Sequence, residues 1–408
     1  MQANSVQSVI DWLINGARSA TRVDQFVTQT CERLVECGLP LSRVGVFVRT
    51  LHPNMLGRNF VWRRDAGVTM GAMPHGDQDE DYFLSSPLAI VFEQGLEVRR
   101  RLVDAGAGNV PFFAEMKGAG ATDYIALPLL MSDGTIHAMS CITEHADGFS
   151  ETQLADLRLV MPALMRMIEV WLLRRTAAGL LNNYVGARAG ARILAGQIRR
   201  GHTETMHAAI WLSDLRGFTP LSDRLPPEAV VEVLNAYFDC QVPAILDHGG
   251  EVLKFMGDGL LAVFPVSGKE GDSETVCRQV LEAARECRKS VAAMTYSHQG
   301  ETLANFKFGL ALHIGTALYG NIGGGDRLDF TCIGPAVNLA ARIEKMTGRL
   351  NRTVLASTEF ASHVDAGWTD LGLFSVAGFA APERVYGLPD DASLMNGSSA
   401  SPASASSP

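Results

Sequence analysis

Apolar residues in the N-terminal region recur with two periods, one typical of helices and one typical of strands. The predicted elements are helices at 5–17 and 22–37 and strands at 43–51, 59–64, 123–130 and 136–143. The Asp-Gly within residues 131–135 predicts a hairpin turn between the last two strands. We therefore predict a mixed α/β domain over residues 1–150.

A long helical pattern follows this domain, and Ser150 precedes it as an N-cap residue. Its apolar residues are spaced by threes and fours, and they are Leu154, Leu157, Met161, Leu164, Ile168 and Trp171. Such a stripe suits a seam between two helices and equally suits packing on its own domain. Pro162 predicts a kink, and a basic helical segment continues over 182–201. We predict that residues 151–204 form a helical linker and dimerisation segment.

The next region, residues 205–390, alternates strand and helix patterns. The predicted elements are a strand at 207–213, helices at 219–224 and 227–247, a hairpin at 251–264, a helix at 273–295, strands at 306–315 and 329–333, and a helix at 335–347. This βααββαβ order predicts an α+β domain whose sheet carries helices on one face. Residues 391–408 are rich in Ser, Ala and Pro without periodicity, which predicts a disordered tail.

The composition favours a globular protein of the cytosol. Of the 408 residues, 47% are hydrophobic and 19% are charged, and this balance allows a sizeable core. The net charge of -9 argues against nucleic acid as a partner. The seven cysteines show no CxxC pair and no zinc spacing, which favours reduced thiols. No signal peptide is visible, and the apolar stretch at 157–173 is too short and too charged to span a membrane.

Two aspartates stand where strands end or turn. Asp214 ends a hydrophobic run, where an unpaired charge is costly, and Asp258 lies in the GDG of residues 257–259. Turn and capping chemistry accounts for each residue alone. In the predicted sheet, however, the two carboxylates converge at one end. Two such ligands suit Mg²⁺ or Mn²⁺, and two ions can clamp the attacking and leaving oxygens of a phosphoryl displacement.

Three further polar residues are candidates for substrate contacts. Asn338 and Arg342 are four residues apart on a helix that starts at Pro335, so they share a face that suits a ribose and a phosphate oxygen. An exposed polar face is the alternative. Lys254 precedes Asp258 by four strand residues, roughly 13 Å. This separation suggests that Lys254 serves a different pocket, completed by a second subunit, unless it is a solvated strand lysine.

Four stretches of the chain resemble the catalytic domain of the class III nucleotidyl cyclases. They are SDLRGFT (213–219), HGGEVLKFMGDGLLAVF (248–264), GLALHIGTALYGNIG (309–323) and DFTCIGPAVNLAARIE (329–344). The resemblance covers residues 205–390 and implies a ferredoxin-like βααββαβ fold. It also implies conversion of a nucleoside triphosphate into a 3′,5′-cyclic monophosphate and pyrophosphate.

The resemblance implies a role for each matching residue. Asp214, Asp258 and the backbone carbonyl of Leu215 match the ligands of two divalent cations, which lower the pKa of the 3′-hydroxyl and neutralise the departing pyrophosphate. Lys254 and Thr331 match the purine-reading positions. Asn338 matches the residue that orients the ribose, and Arg342 the residue that stabilises the transition state. Candidate phosphate contacts are Phe218, Thr219 and Arg327.

The purine base of the substrate can be inferred from hydrogen-bond donors and acceptors. Lysine only donates, which suits N1 of adenine, whereas guanine carries a hydrogen there. Guanylate enzymes of this family tend to have an acidic residue at the position of Lys254. Thr331 accepts from the adenine N6 amine, so we predict ATP as the substrate. A slip of one residue places Cys332 there, which is closer to guanylate enzymes. A guanylate cyclase is therefore the alternative. A nucleotide-binding regulatory protein without turnover is a further one.

The family resemblance also implies a homodimer, in which one chain supplies the aspartates and the other supplies the remaining site residues. One departure concerns Ala377 and Phe379, which stand where basic residues that grip the triphosphate are common. The N-terminal region resembles a GAF-type sensory domain in its strand-helix order and in the helix entry at 148–157. That resemblance implies an unknown small-molecule or protein regulator. Candidate ligand-binding residues, which also suit ordinary positions, are Cys31, Cys37, Cys141, His137 and His145.

Overall fold

The computed structural model describes residues 5–52, 55–74, 86–104, 110–298, 300–325 and 327–389. The chain divides into two units, Met1–Leu180 and Leu181–Pro408. This division falls inside the segment predicted as a linker. The predicted disordered tail, residues 391–408, lies outside the described residues.

Unit 1 is built on a six-stranded antiparallel sheet with strand order β3-β2-β1-β6-β5-β4. Its strands are β1 Arg43–His52, β2 Met55–Arg63, β3 Gly67–Pro74, β4 Val98–Arg101, β5 Asp123–Leu130 and β6 Ile136–Thr143. Its helices are α1 Val6–Ile14, α2 Val23–Glu36, α3 Pro87–Gln94, α4 Pro111–Gly118 and most of α5 Glu151–Val185. The two helices and four strands predicted for residues 1–150 are all present.

The two strands that the sequence pattern missed lie at the edges of this sheet. β4 reads VRRR, because an edge strand carries charge where a central strand carries apolar residues. β3 contains two glycines, and Gly67 opens it with φ 70°. The helices α3 and α4 were also missed, since each has only eight residues.

Helix α5 begins with a reciprocal cap. The Gln153 N–H donates to Ser150 Oγ at 3.3 Å, and the Ser150 N–H donates to Gln153 Oε1 at 3.0 Å. The helix is continuous through Pro162, and the kink there stays a prediction. Five residues of the predicted stripe are buried in the core of unit 1, and they are Leu154, Leu157, Met161, Leu164 and Ile168. That stripe therefore packs on its own domain rather than forming a seam between two helices.

The predicted helical segment 182–201 is helical over 182–185 and 187–194, but it breaks at residue 186 and ends seven residues early. Helix α5 ends at Val185, Gly186 adopts φ 85°, and the short helix α6 spans Ala187–Leu194. The break is stabilised from unit 2 itself, because Glu251 accepts backbone hydrogen bonds from the first turn of α6. Strand β7 then starts at Thr203, so the predicted helical linker ends before residue 204.

Unit 2 contains an eight-stranded sheet with strand order β15-β16-β14-β12-β7-β9-β8, and β13 pairs with β12. Its strands are β7 Thr203–Leu215, β8 Glu251–Met256, β9 Gly259–Pro265, β12 Phe308–Gly324, β13 Arg327–Ile333, β14 Val354–Ser357, β15 Thr369–Phe374 and β16 Glu383–Gly387, and a separate hairpin joins β10 Tyr296–His298 to β11 Glu301–Leu303. Its further helices are α7 Phe218–Ser222, α8 Pro227–Asp239, α9 Val242–Asp247, α10 Asp272–Ala293, α11 Pro335–Arg349 and α12 Thr358–His363.

Helices cover both faces of this sheet, not one face as predicted. Neighbouring residues of β7, which point to opposite faces, show this. Trp211 packs with the core of α8 and α10, whereas Ile210 packs with α6 and α11. Strand β12 is also longer than the predicted 306–315, because it continues into a hairpin with β13. The positions that carry chemistry lie at the ends of β7 and β8, on β13 and on α11.

One described stretch, Pro227–Asp247, has the length and the mean hydropathy, 1.3, of a membrane-crossing helix. It consists of α8 and α9 rather than the one helix predicted at 227–247. Val233, Tyr237 and Ile245 of this stretch are buried in the core of unit 2. Packing accounts for these three residues, whereas Val231 and Leu246 of the same stretch are more than half exposed.

Candidate functional site

The end of β7 and the β8–β9 hairpin bring Asp214 and Asp258 together. Asp214 pairs in register with Gly259, the residue that directly follows Asp258. The hairpin loop has two residues, and Gly257 adopts φ 67° at its first position, which a type II′ turn reserves for glycine. A Cβ placed on Gly259 would lie 3.4 Å from Asp214 Oδ1. The backbone of the GDG turn therefore approaches the Asp214 carboxyl closely.

The two carboxyl groups influence each other's charge. Burial, together with the negative charge of Asp258 and a hydrogen bond with it, raises the pKa of Asp214 to about 6. A backbone hydrogen bond at Leu215 and the charge of Lys345 act in the opposite direction. A half-buried pair of like charges is stabilised by a cation, and carboxylate oxygens are the ligands that Mg²⁺ and Mn²⁺ prefer. The residues present thus fit a divalent metal.

Within the described ranges, no group of three or more His, Cys, Asp and Glu side chains is arranged to hold a metal. A cation at Asp214 and Asp258 would therefore complete its coordination with backbone, water or substrate oxygens. Leu215, the proposed carbonyl ligand, is the last residue of β7.

Glu344 is a third carboxyl group near this pair, and sequence reasoning missed it. Burial, followed by the charge of Asp214, raises the pKa of Glu344 to about 7. Arg216 and Lys345 lower it. A signal existed in the sequence, because Glu344 falls between the buried Ile343 and Met346 on the core side of α11. An acidic residue in that position is unusual for a plain amphipathic helix.

A second polar cluster forms where β8 lies near β13. Lys254 Nζ is 3.0 Å from Asp329 Oδ2, and Thr331 follows two residues later on β13. Alternate strand residues share a face, so Thr331 lies on the same side as Asp329. Thr331 is only 5% exposed, and its Oγ1 has no hydrogen-bond partner among the described residues. Asp329 is the second residue that sequence reasoning missed.

The two clusters remain separate in one subunit. No hydrogen bond or ion pair among the described residues joins Lys254 or Asp329 to the Asp214–Asp258 pair. The side chains of Asn338 and Arg342 are exposed on α11, and neither has a side-chain partner in the described part of the chain. The purine-reading candidates and the carboxylate pair are thus not assembled into a single pocket by one chain.

The candidate phosphate contacts differ in their surroundings. Phe218 begins α7 and packs against the core of unit 2, whereas Thr219 is exposed. Arg327 is exposed at the start of β13, opposite Gly324. Ala377 is also exposed, whereas Phe379 packs on a small core formed by α11 and neighbouring strands. Phe379 therefore has a packing role at the position where the family often has a basic residue.

The N-terminal candidates have the surroundings of ordinary positions. Cys31 and Cys141 are buried in one apolar core, and burial raises the pKa of both thiols. Cys37 is half-buried. His137 is buried, its Nδ1 accepts the Arg49 N–H at 3.2 Å, and burial lowers its pKa. His145 is exposed. These surroundings favour structural roles over a ligand set.

Residues 202–376 match the family described as the adenylate and guanylate cyclase catalytic domain. Adenylate cyclase 1 of Rhizobium meliloti (strain 1021) is 32% identical over 147 residues, which are 36% of this chain and 21% of that protein. An adenylate cyclase of Anabaena cylindrica is 32% identical over 162 residues, 39% of this chain and 31% of that protein. The chain therefore matches less than a third of the length of either relative.

Among solved structures, a bacterial light-regulated adenylyl cyclase is 25% identical and aligns with a TM-score of 0.44. That alignment covers 55% of this chain and 64% of the other. The family match and the sequence relatives show that unit 2 contains an adenylate and guanylate cyclase catalytic domain.

Proposed function

We propose that this protein is an adenylate cyclase that converts ATP into 3′,5′-cyclic AMP and pyrophosphate at sites shared by two copies of the chain. One observation carries the proposal. Asp214 and Asp258 lie together at the end of β7, whereas Lys254, Asp329 and Thr331 form a second cluster that one chain leaves apart. Two such half-sites suit a symmetric pair of chains.

Asp214, Asp258 and the carbonyl of Leu215 would hold two divalent cations, Mg²⁺ or Mn²⁺. When bound, such ions supply positive charge that stabilises the triphosphate and lowers the pKa of the 3′-hydroxyl. The protein prepares the site by folding two carboxyl groups against each other before any ligand arrives. Their mutual repulsion, seen in the raised pKa of Asp214, favours the metal-bound form.

Lys254 and Thr331 would read the adenine. Lys254 donates to N1, and Thr331 Oγ1 accepts from the N6 amine. The buried hydroxyl without a partner supports this role, because a ligand amine would satisfy it. Asp329 fixes the ammonium group of Lys254 on the same face. The ion pair therefore orients the donor that discriminates adenine from guanine.

The alternative register, with Cys332 as the base reader, fits less well. Cys332 is buried in the core between the sheet and α11, on the face opposite to Thr331. Lys254 contacts Asp329, which shares the face of Thr331. This placement favours ATP over GTP and leaves the guanylate cyclase as the second candidate.

Asn338 and Arg342 would act on the substrate held by the partner's aspartates. Their exposed side chains share one face of α11, where the amide orients the ribose and the guanidinium stabilises charge on the phosphates. Phe218, Thr219 and Arg327 remain candidate phosphate contacts. The absence of a basic side chain at Ala377 and Phe379 predicts a weaker grip on the triphosphate.

Exposed apolar residues support the homodimer. Five of them lie on β8, β12 and β13, the strands that carry or adjoin the purine-reading residues, and they are Phe255, Met256, Leu318, Leu328 and Ile333. Leu318 and Ile333 are direct cross-strand partners. A second copy would cover this surface.

A helical seam would use a different face of α5 from the predicted stripe, which is buried in unit 1. Val170, Leu173, Ala177 and Leu180 are spaced by three, four and three residues, and Leu173 is 64% exposed. This is the spacing of a and d positions in a coiled coil. We propose that two copies of α5 pair along this face.

Several finer assignments belong to the same proposal. The strand order β12-β7-β9-β8 and its antiparallel pairing support a ferredoxin-like catalytic domain. The six-stranded sheet of unit 1 supports a GAF-like sensory domain that regulates the enzyme through an unknown small molecule or protein. Seven free cysteines support a cytoplasmic protein. The chain is not expected to bind nucleic acid or span a membrane.

The test is a product assay with the purified full chain. ATP or GTP is supplied with Mn²⁺, and both cyclic nucleotides and pyrophosphate are quantified. The proposal expects cyclic AMP in excess of cyclic GMP, with one pyrophosphate per cyclic product. Cyclic GMP as the main product would support the guanylate cyclase, and neither product would support the nucleotide-binding regulator.

A further inference from the structure

Unit 1 contains a cavity of about 670 Å³ that the proposed catalysis does not use. It lies between α4 and the strand ends of the sheet, and its volume is in the range of small-molecule sites. Part of its wall is apolar and is formed by Pro40, Met116, Ala121 and Ile142. The cavity therefore has room for an organic molecule, not only for a small ion.

A row of cross-strand partners forms one side of this cavity. Arg43 of β1 pairs with Arg63 of β2 on one side and with Ile142 of β6 on the other. Directly opposed side chains share a face of the sheet, so the two guanidinium groups point to the same side. Like charges in this arrangement repel each other, so an anion bound between them is stabilised. Arg64 adds a third guanidinium group to the same cavity.

Two of these arginines lack acidic partners. Arg63 has no hydrogen bond or ion pair to any side chain in the described part of unit 1, and Arg64 donates only from Nε to the Leu41 carbonyl at 2.9 Å. Elsewhere in the unit, Arg99 and Arg158 each bind a carboxylate at less than 3 Å. The guanidinium groups of Arg63 and Arg64 therefore have donors available to a ligand.

The cavity also contains carboxylates, which narrow the ligand class. Asp65, Glu115 and Glu144 line it beside the arginines, and Glu144 has no ion pair to a described residue. These groups repel a polyanion but accept hydrogen bonds from hydroxyl or amine groups. The Arg43 Nη1 lies 3.2 Å from Met116 Sδ, which places this guanidinium against the apolar wall.

We propose that unit 1 binds a small organic anion in this cavity. One carboxylate or phosphate group is held by Arg43 and Arg63, and hydroxyl or amine groups of the ligand face Glu115 and Glu144. Arginine suits this task, because its planar fork binds two oxygens of a carboxylate or phosphate at once. Binding is independent of the cyclase proposal, since neither cluster in unit 2 contributes to the cavity.

The experiment measures binding directly with the full chain. Radiolabelled orthophosphate, glycerol 3-phosphate and L-malate are equilibrated with the protein by dialysis, in chloride buffer of constant ionic strength. We expect saturable binding of at least one organic probe, with one site per chain. Binding of glycerol 3-phosphate but not L-malate, or the reverse, supports the site and identifies its acidic group.

Substitutions locate the site. Arg63→Gln should weaken binding by about tenfold or more, since it removes a charged hydrogen-bond pair. Arg63→Lys should have an intermediate effect, because it keeps the charge and loses the fork. Arg63 is exposed, so both variants should retain the circular dichroism spectrum of the parent. Arg18→Gln, a change at an exposed arginine away from the cavity, should bind like the parent.

Two results would overturn the proposal. One is the absence of saturable binding for both organic probes, whether or not orthophosphate binds. The other is binding to Arg63→Gln that equals binding to Arg18→Gln. The readout needs no turnover, so a chain that fails the product assay above can still pass this test, and the reverse also holds.

Discussion

Lys254 and Asp329 form an ion pair between two strands, with Nζ 3.0 Å from Oδ2. The side chains are 33% and 59% exposed, so the pair contributes little to folding stability. In the proposed function, the pair holds the ammonium group on the face of β13 that carries Thr331.

Asp329→Asn should therefore impair substrate reading and leave folding intact. An exposed pair is worth up to about 1 kcal/mol, so we expect a rise in KM for ATP of about two- to fivefold and a smaller preference for ATP over GTP. Steady-state kinetics with both nucleotides measure this effect. Asp247→Asn, an exposed aspartate at the end of α9, is the control. Equal KM values for the two variants would remove Asp329 from base recognition.

Thr331→Val should weaken recognition of ATP without lowering the stability of the fold. Valine has the shape of threonine, and the replaced hydroxyl is buried without a partner among the described residues. The free energy of unfolding should stay constant or rise by up to about 1 kcal/mol, while KM for ATP rises by about three- to tenfold. Urea unfolding and kinetics provide the two values. A marked loss of stability would mean that the hydroxyl has a structural partner instead.

Gly257→Ala tests whether the hairpin turn places Asp258. A Cβ at φ 67° costs about 1 kcal/mol, although the site itself has open space around it. Gly268→Ala introduces the same kind of strain at φ 80° in a loop of unit 2, also in open space. Both should lose similar stability, but only Gly257→Ala should lose most activity and require more Mn²⁺. Equal activities would show that the turn does not position the carboxylate.

Stability of unit 2 should fall at acid pH through His313. This side chain is buried, with Nδ1 2.8 Å from Ser357 Oγ, and burial holds its pKa below the ordinary value of 6.5. The nearby Glu359 raises that pKa and His207 lowers it. The unfolded chain thus binds a proton more readily than the folded one, so the contribution is present above pH 6.5 and is lost as the pH falls through the folded pKa.

His313→Gln cannot take up this proton, so its free energy of unfolding should depend less on pH between 7 and about 5. Urea unfolding at each pH gives the difference between the parent and the variant. His137 in unit 1 also has a lowered pKa, but it is common to both proteins and cancels in the difference. A constant difference across that range would show that His313 keeps its ordinary pKa when folded.

Sequence patterns identified the elements whose apolar residues face one core. Helix α2, the pair β5 and β6, and helix α11 all follow from periodicity. Patterns failed at the edges, as in β4, where three arginines replace apolar residues. They also failed at Gly186, where a left-handed backbone and a cap from the distant Glu251 end a helix that local composition would continue.

The candidate site also contains residues that the sequence could pair and residues that it could not. Asp214 and Asp258 could be paired from sequence, because a strand end and a hairpin turn fix their neighbourhood. Asp329 and Glu344 could not, because their partners come from strands more than 70 residues away and only packing brings them together. The same holds for the stripe on α5, whose burial in unit 1 depends on helices and strands that its own spacing does not specify.

The shared site is tested most directly by mixing two inactive proteins. Asp214→Ala removes one carboxylate, and Arg342→Ala removes the guanidinium supplied by the other chain, so each homodimer should be nearly inactive. After subunit exchange at equal amounts, about half of the dimers are mixed and each keeps one intact site, which predicts about a quarter of the parent cyclic AMP formation. Mixed dimers demonstrated by native mass spectrometry that make no more product than either variant alone would contradict the account.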